Sequence, residues 1–140
     1  MRTEIQTLGD GVNRGVPISI RSGFEKLTFA PERRPDSSDI QAAFCTLASY
    51  REGGIFLGHF AGESAWERHT AGDELLFVVE GETDLRLLID GVEQRQHVCA
   101  GELIVVPEGA WHKFHTDGVK LIAVTPQPSD HQIEHPGAAD

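Results

Sequence analysis

The chain has 140 residues, 39% of them hydrophobic and 24% charged, the proportions of a soluble globular domain with enough chain to bury a core. Its 12 basic against 22 acidic residues leave a net charge of −10, which excludes nucleic acid and anionic membrane surfaces as natural partners, since both need a positive footprint. No apolar run approaches the ~20 residues of a membrane helix. The opening Met1-Arg-Thr-Glu-Ile-Gln carries an early acid and no hydrophobic stretch, so it is not a signal peptide, and a cytoplasmic location is expected.

Residues 1–38 read as an extended N-terminal arm, punctuated by Gly9, Gly11, Gly15, Pro17, Pro31 and Pro35. The arm is expected to be strand-like in places and to pack across the body of the fold or onto a neighbouring subunit. From about residue 41 the pattern becomes β. Ala42–Ala48 and Gly54–Phe60 suit strands, and Glu74–Val79 is a continuous apolar run, as in a strand buried on both faces. Thr83–Ile89 and Val92–Val98 flank Asp90-Gly91, a strong hairpin signal. Glu102–Val106 and Val119–Val124 complete the set, and no segment has the pattern of a long amphipathic helix. Short strands separated by turn residues indicate an all-β sandwich or barrel. The divisions expected are an arm over 1–38, a barrel over 39–126 and an extended tail over 127–140 containing Pro128 and Pro136.

Gly81 and Gly101 stand at strand ends, where backbone conformations resisted by other residues are expected. Pro107-Glu-Gly109 reads as a tight turn. Cys45 and Cys99 lie in apolar alternating runs and are expected to be buried free thiols.

The chemistry concentrates in a few positions. Glu67 and His69 are two apart, so on a strand they share a face. Glu74 follows after the turn-like Thr70-Ala-Gly-Asp73, and His112 comes from a distant strand. His115 has the opposite parity to His112, whereas Phe114 shares it and walls the same space. His59 is a weaker candidate for the cavity lining. His97, His131 and His135 read as solvated, Trp66 and Trp111 as outer-face packing, and Arg33-Arg34 as surface charge or an anion clamp over the pocket.

Two blocks carry a family resemblance. Gly62, five residues on Arg68-flanked Glu67 and His69, then Glu74 and Gly81, resembles the first cupin motif, Gly–His-x-His–Glu–Gly. Gly101, Pro107-Glu-Gly109 and His112 resemble the second, Gly–Pro-x-Gly–His–Asn. Glu67 replaces the usual first histidine, and Thr116 stands where the motif ends in Asn. The Trp66-Glu-Arg-His69…Asp73-Glu74 wording is similar to that of small cupins carrying this Glu. The resemblance implies a double-stranded β-helix (jelly-roll) barrel, often dimeric, with a divalent metal held by Glu67, His69, Glu74 and His112.

Imidazole suits Zn, Cu, Fe and Ni, while carboxylates suit harder ions such as Mn. A second carboxylate shifts the preference toward Fe(II) or Mn(II) and weakens Lewis acidity. Without a cation, two enclosed carboxylates repel, so one takes a proton or shares one with a histidine. Three functions stay open. One is a metal-dependent enzyme acting on a small organic molecule by dioxygenase, isomerase or lyase chemistry, with Glu67 as base. The second is a non-catalytic ligand-binding or sensor barrel. The third is a metal-free acid/base isomerase. A homodimer is expected, with the arm covering the edge strand at Ala42–Ala48.

Overall fold

A computed structural model describes the backbone of residues 6–7 and all of residues 15–137. The elements in chain order are β1 (Gln6–Thr7), α1 (Ile20–Glu25), β2 (Ala30–Arg33), β3 (Phe44–Tyr50), β4 (Gly53–Glu63), β5 (Trp66–His69), β6 (Glu74–Ile89), β7 (Val92–Cys99), β8 (Leu103–Val106), β9 (Trp111–Pro126) and β10 (Ser129–Gln132). The strands form one all-β barrel. At its centre β9 runs antiparallel to β4, β5 and β6, and β6 in turn pairs with β7 and β8.

Alternation decides what lies inside. Along β9, His112, Phe114 and Thr116 are buried while His115 is exposed. The interior is filled by Phe60, Leu76, Val78, Leu85, Leu87, Val106, Phe114, Val119 and Leu121. A second apolar layer forms outside, where Phe24 of α1 packs with Cys45, Leu47 and Leu57. Ser19 caps α1 by accepting from the Ser22 amide at 3.0 Å. Burying Phe24 stabilises this contact by about 1.5–3 kcal/mol, which is enough to hold a helix of six residues that has no independent stability.

Two expected strands, at 74–79 and 83–89, are halves of the single 16-residue β6. Gly81 lets it bend. Its φ is +78°, and a Cβ there would sit 2.1 Å from the Gly118 carbonyl oxygen, so no other residue fits without moving β9. Gly101 likewise has a φ of +87°. Thr116 has a clear structural use. Its hydroxyl donates to the Glu82 carbonyl at 2.5 Å and accepts from the Gly118 amide at 2.9 Å, holding the bulge between β6 and β9.

Several expectations change. The arm contains α1, and the calls on residues 1–5 and 8–14 lie outside the described residues. The edge expected at Ala42–Ala48 is β3, which follows a short 3-10 turn at Gln41–Ala43 and is covered within the chain by β1, paired parallel. The segment after Pro126 is not merely extended, because β10 pairs antiparallel with β5. Cys45 is buried as expected, but Cys99 is exposed. Alternation turns Val98 inward on β7 and Cys99 outward. No helix among the described residues is long and apolar enough to cross a membrane.

Candidate metal centre

The site is built where β5 meets β9 on one side and β10 on the other. Glu67 pairs with His112 across the β5–β9 contact. Glu74 opens β6, opposite Val106. Two contacts fix the segments that carry these residues. The Gly109 amide donates to the His69 carbonyl at 2.8 Å, and the Glu108 amide donates to Asp73 Oδ1 at 2.8 Å. The Pro-x-Gly turn of one motif is thereby tied to the strand of the other.

The four expected side chains converge. His112, His69 and Glu74 are 0%, 2% and 4% exposed, and Glu67 is 24% exposed. One donor atom each from Glu67, His69 and His112 lie within 4.8 Å of one another. Glu74 Oε1 is 2.9 Å from His112 Nε2, and its Oε2 is 3.3 Å from His69 Nε2. Despite this closeness, His69 Nε2, His112 Nε2 and Glu74 Oε1 have no hydrogen-bond partner of acceptable geometry. Buried polar atoms are rarely left so. Three such atoms crowded together, aimed past one another, fit a shared cation better than mutual hydrogen bonds.

The imidazole tautomers support the same conclusion. His112 Nδ1 lies 3.0 Å from the Ala110 carbonyl oxygen. A carbonyl only accepts, so the Nδ1 carries the proton and Nε2 is the ligand end. His69 Nδ1 lies 2.8 Å from Ser129 Oγ, whose hydroxyl donates onward to Gln127 Oε1 at 3.3 Å. That direction makes Ser129 the acceptor from His69 and again frees Nε2. Glu74 Oε2 accepts from the Thr125 hydroxyl at 2.6 Å. Outer partners of this kind orient metal ligands. The donor set, two imidazoles and two carboxylates, fits a divalent transition metal.

The charges are balanced internally. Burial pushes the Glu67 carboxyl up, but the hydrogen bond from His131 and the imidazoles of His112 and His69 outweigh it and hold the group at about 2. Burial likewise raises Glu74, and its two histidine neighbours reverse that and bring it below its usual range. Burial lowers His112, yet Glu74, Glu67 and the Ala110 carbonyl lift it to about 9. In the metal-free state His112 is thus the natural site of the compensating proton.

Three contributors were not foreseen. Ser129 and His131 lie directly opposite His69 and Glu67 in the β10–β5 register, and His131 Nε2 is 3.2 Å from Glu67 Oε2. Thr125 lies near the end of β9. None carries a local motif, although His131 and Ser129 share the two-residue spacing of Glu67 and His69. His131 is solvated, at 58% exposed, and still reaches the site.

Other expectations are resolved by facing. His115 is exposed, and Phe114 lies beside His112 with ring centroids 6.2 Å apart. His59 lines an outer groove of ≈ 510 Å³ beside α1, its ring tilted against Phe29 with centroids 4.6 Å apart, rather than the barrel interior. Trp66 is buried on the outer side under Arg86, Lys113 and His135. Arg33 does not stand free on the surface. Its guanidinium lies over the rings of Phe60 and Phe44, at 4.6 and 5.0 Å, and burial lowers it to about 10 against the opposing pull of Glu67.

A β-barrel with histidine and carboxylate donors gathered inside it defines a cupin with a candidate divalent-metal site at Glu67, His69 and His112. The chain belongs to the cupin superfamily: residues 58–125 match the family model described as the cupin domain. It is similar to the acireductone dioxygenase of Rhodopseudomonas palustris, 35% identical over 65 residues, covering 46% of this chain and 39% of that protein. It is also similar to the acireductone dioxygenase of a Sulfurihydrogenibium species, 42% identical over 66 residues, covering 45% and 37%. The matched stretch therefore spans about two fifths of these curated relatives. Among solved structures, a cupin-2 domain containing protein from Shewanella frigidimarina superposes with a TM-score of 0.58 at 23% identity, covering 79% of this chain and 94% of that one. A hydroquinone 1,2-dioxygenase superposes with a TM-score of 0.51 at 14% identity, covering 59% and 63%. Both share the fold.

Proposed function

We propose that this cupin is a metal-dependent enzyme with dioxygenase-type chemistry on a small organic molecule, its divalent metal held by Glu67, His69, Glu74 and His112. The observation that carries this reading is the set of three buried, unpartnered donor atoms with both imidazoles locked in the ligand tautomer. The reaction class is favoured by the similarity to the two acireductone dioxygenases over the motif-bearing half of the chain. When bound, the metal supplies Lewis acidity and open coordination positions for substrate oxygens.

The chain's own residues then divide the work. His69, His112 and Glu74, all buried, hold position through Ser129, Ala110 and Thr125. Glu67 is the most exposed of the four. Held at about 2, it is a poor base on its own. As a relay it would take the substrate proton and pass it from Oε2 to Nε2 of His131, 3.2 Å away, in the tautomer whose own proton sits on Nδ1, and the Glu67 carboxylate raises that imidazole's affinity for the proton. Phe60 and Phe114 keep the wall apolar. Arg33, with no ion-pair partner among the described residues, offers a positive charge toward an anionic substrate oxygen.

The test is activity and metal content together. Loss of both in His69→Ala and His112→Ala is expected. Turnover that survives exhaustive chelation would move the site to metal-free acid/base isomerisation, and saturable ligand binding without product would make it a sensor. We also propose a homodimer. Among the described residues strand β8 pairs only with β6, and it exposes Leu103 and Val105, at 56% and 50%, so its other edge suits a second copy. A monomer by sedimentation at micromolar concentration would end that proposal.

A further inference from the structure

Outside the barrel, a second group of ligand side chains lies on the β6–β7 hairpin. Glu82 pairs with Cys99 and Asp84 with His97, with Thr83 opposite Val98 between them. Thr83 and Val98 are buried, at 2% and 5% exposed. Alternation therefore turns Glu82, Asp84, His97 and Cys99 to the same outer face, on rigid strands rather than on a loop.

We propose that Glu82, His97 and Cys99 form a separate surface site for a borderline divalent cation of the Zn(II) or Co(II) type. One ligand atom from each lies within 4.8 Å of the others, so small rotations of exposed side chains bring all three to coordination distance. Asp84 Oδ1 is 2.7 Å from His97 Nδ1, which fixes the proton there. Nε2 also meets a carboxylate, Glu82 Oε1 at 2.5 Å, so it carries a proton in the metal-free ring, and a cation would displace that proton to make Nε2 the ligand end. This is the carboxylate–histidine arrangement that orients metal-bound imidazole. Sulfur, nitrogen and oxygen donors together select Zn(II)-like ions over Mg(II) or Ca(II).

The electrostatics point to the same occupant. The Cys99 amide donates to Glu102 Oε1 at 2.8 Å, placing a third carboxylate beside Glu82 and Asp84. Among the described residues no Lys or Arg pairs with any of the three, and His97 is their only salt-bridge partner. His97 offsets only part of this charge, and an added cation offsets the rest. Three protein ligands leave the fourth position of a tetrahedral ion to water, as in an exchangeable site. The four donors of the barrel centre include no sulfur, so the two sites differ in a spectroscopic property.

The test is titration of the untagged, reduced protein with Co(II) alone, followed by absorption and equilibrium dialysis. Wild type is expected to bind two equivalents, one of them with a thiolate-to-cobalt charge-transfer band in the near ultraviolet. Cys99→Ser should lose that band and one equivalent. His97→Ala should lose the band, Asp84→Asn should weaken the associated binding by about tenfold, and His112→Ala should keep the band while losing the other equivalent. Zn(II) should bleach the band by competition. Absence of the band in wild type, or its persistence in Cys99→Ser, would overturn the proposal. Cys99 is exposed, so its serine variant should fold, and circular dichroism checks this.

Discussion

The barrel interior and the outer face of the β6–β7 hairpin carry similar donors in opposite surroundings. Inside, Glu67, His69, Glu74 and His112 are mostly shut from water, and three of their atoms lack a hydrogen-bond partner. Outside, His97 is 48% exposed and both its nitrogens meet carboxylates within 2.7 Å. Burial makes the difference. An unpaired polar atom costs about 1–3 kcal/mol in a dry interior, so the inner arrangement calls for a proton or a cation at the point where the donors meet. The outer arrangement is content with a proton and water until a cation displaces them.

The sharpest way to break the contrast is to remove one imidazole from each region in metal-free protein. His112→Ala leaves Glu74 buried beside Glu67 with its main partner gone, and should destabilise the fold by about 3–5 kcal/mol, read by urea denaturation under chelation. His97→Ala should leave the midpoint nearly unmoved, because its carboxylate neighbours simply rehydrate. Equal midpoint shifts in the two variants would contradict the account. Next in size is Ser129→Ala, which frees the His69 ring and should weaken metal binding to the barrel by about 10–100-fold, measured by competition with a chelating dye. An unchanged affinity would remove Ser129 from the site.

Smaller effects follow from titration. His112 has a folded pKa of about 9, above its unfolded value of about 6.5. Its contribution to metal-free stability is present in full below about pH 6.5 and fades as pH rises through about 9. Glu67 has a folded pKa of about 2, below its unfolded value of about 4.3. Its contribution is present above about pH 4.3 and fades as pH falls through about 2. Metal-free stability should therefore be greatest between about pH 4.3 and 6.5, and metal uptake near pH 8 should release a proton from His112, detectable by calorimetry in buffers of different ionisation enthalpy. A buffer-independent heat would place the proton elsewhere. The smallest effect concerns Cys99. Burial and the neighbouring Glu102 and Glu82 carboxylates raise its thiol, so alkylation at neutral pH should be slower than for free cysteine, despite its exposure.

Part of the inner site was legible locally, and its full ligand set came from the resemblance to the cupin motifs. Glu67 and His69 share a face by parity, and the Pro107–Gly109 turn precedes His112 on the strand that meets them. A sandwich or barrel followed from the short apolar runs and the Asp90-Gly91 hairpin, whose pairing Ile89 to Val92 is observed, and the resemblance to the cupin motifs decided for the barrel. The outer partners were not legible, since Ser129 and His131 reach the site only through the β10–β5 register, a pairing 60 residues apart that no periodicity encodes. Cys99 was misjudged for a related reason. Its run, Val92–Cys99, is mostly polar and exposed, and facing is set by which neighbour points inward, as Val98 does. The continuity of β6 was hidden by Gly81, which reads as a strand end and serves as a bend.

The most direct measurement is elemental analysis of untagged Cys99→Ser protein after reconstitution with Fe(II), Mn(II), Ni(II) or Zn(II), with and without a second change, His112→Ala. The account predicts about one equivalent of one of these metals in the single variant and none in the double. No metal in the single variant, or the same amount in both, would contradict a metal centre at Glu67, His69, Glu74 and His112.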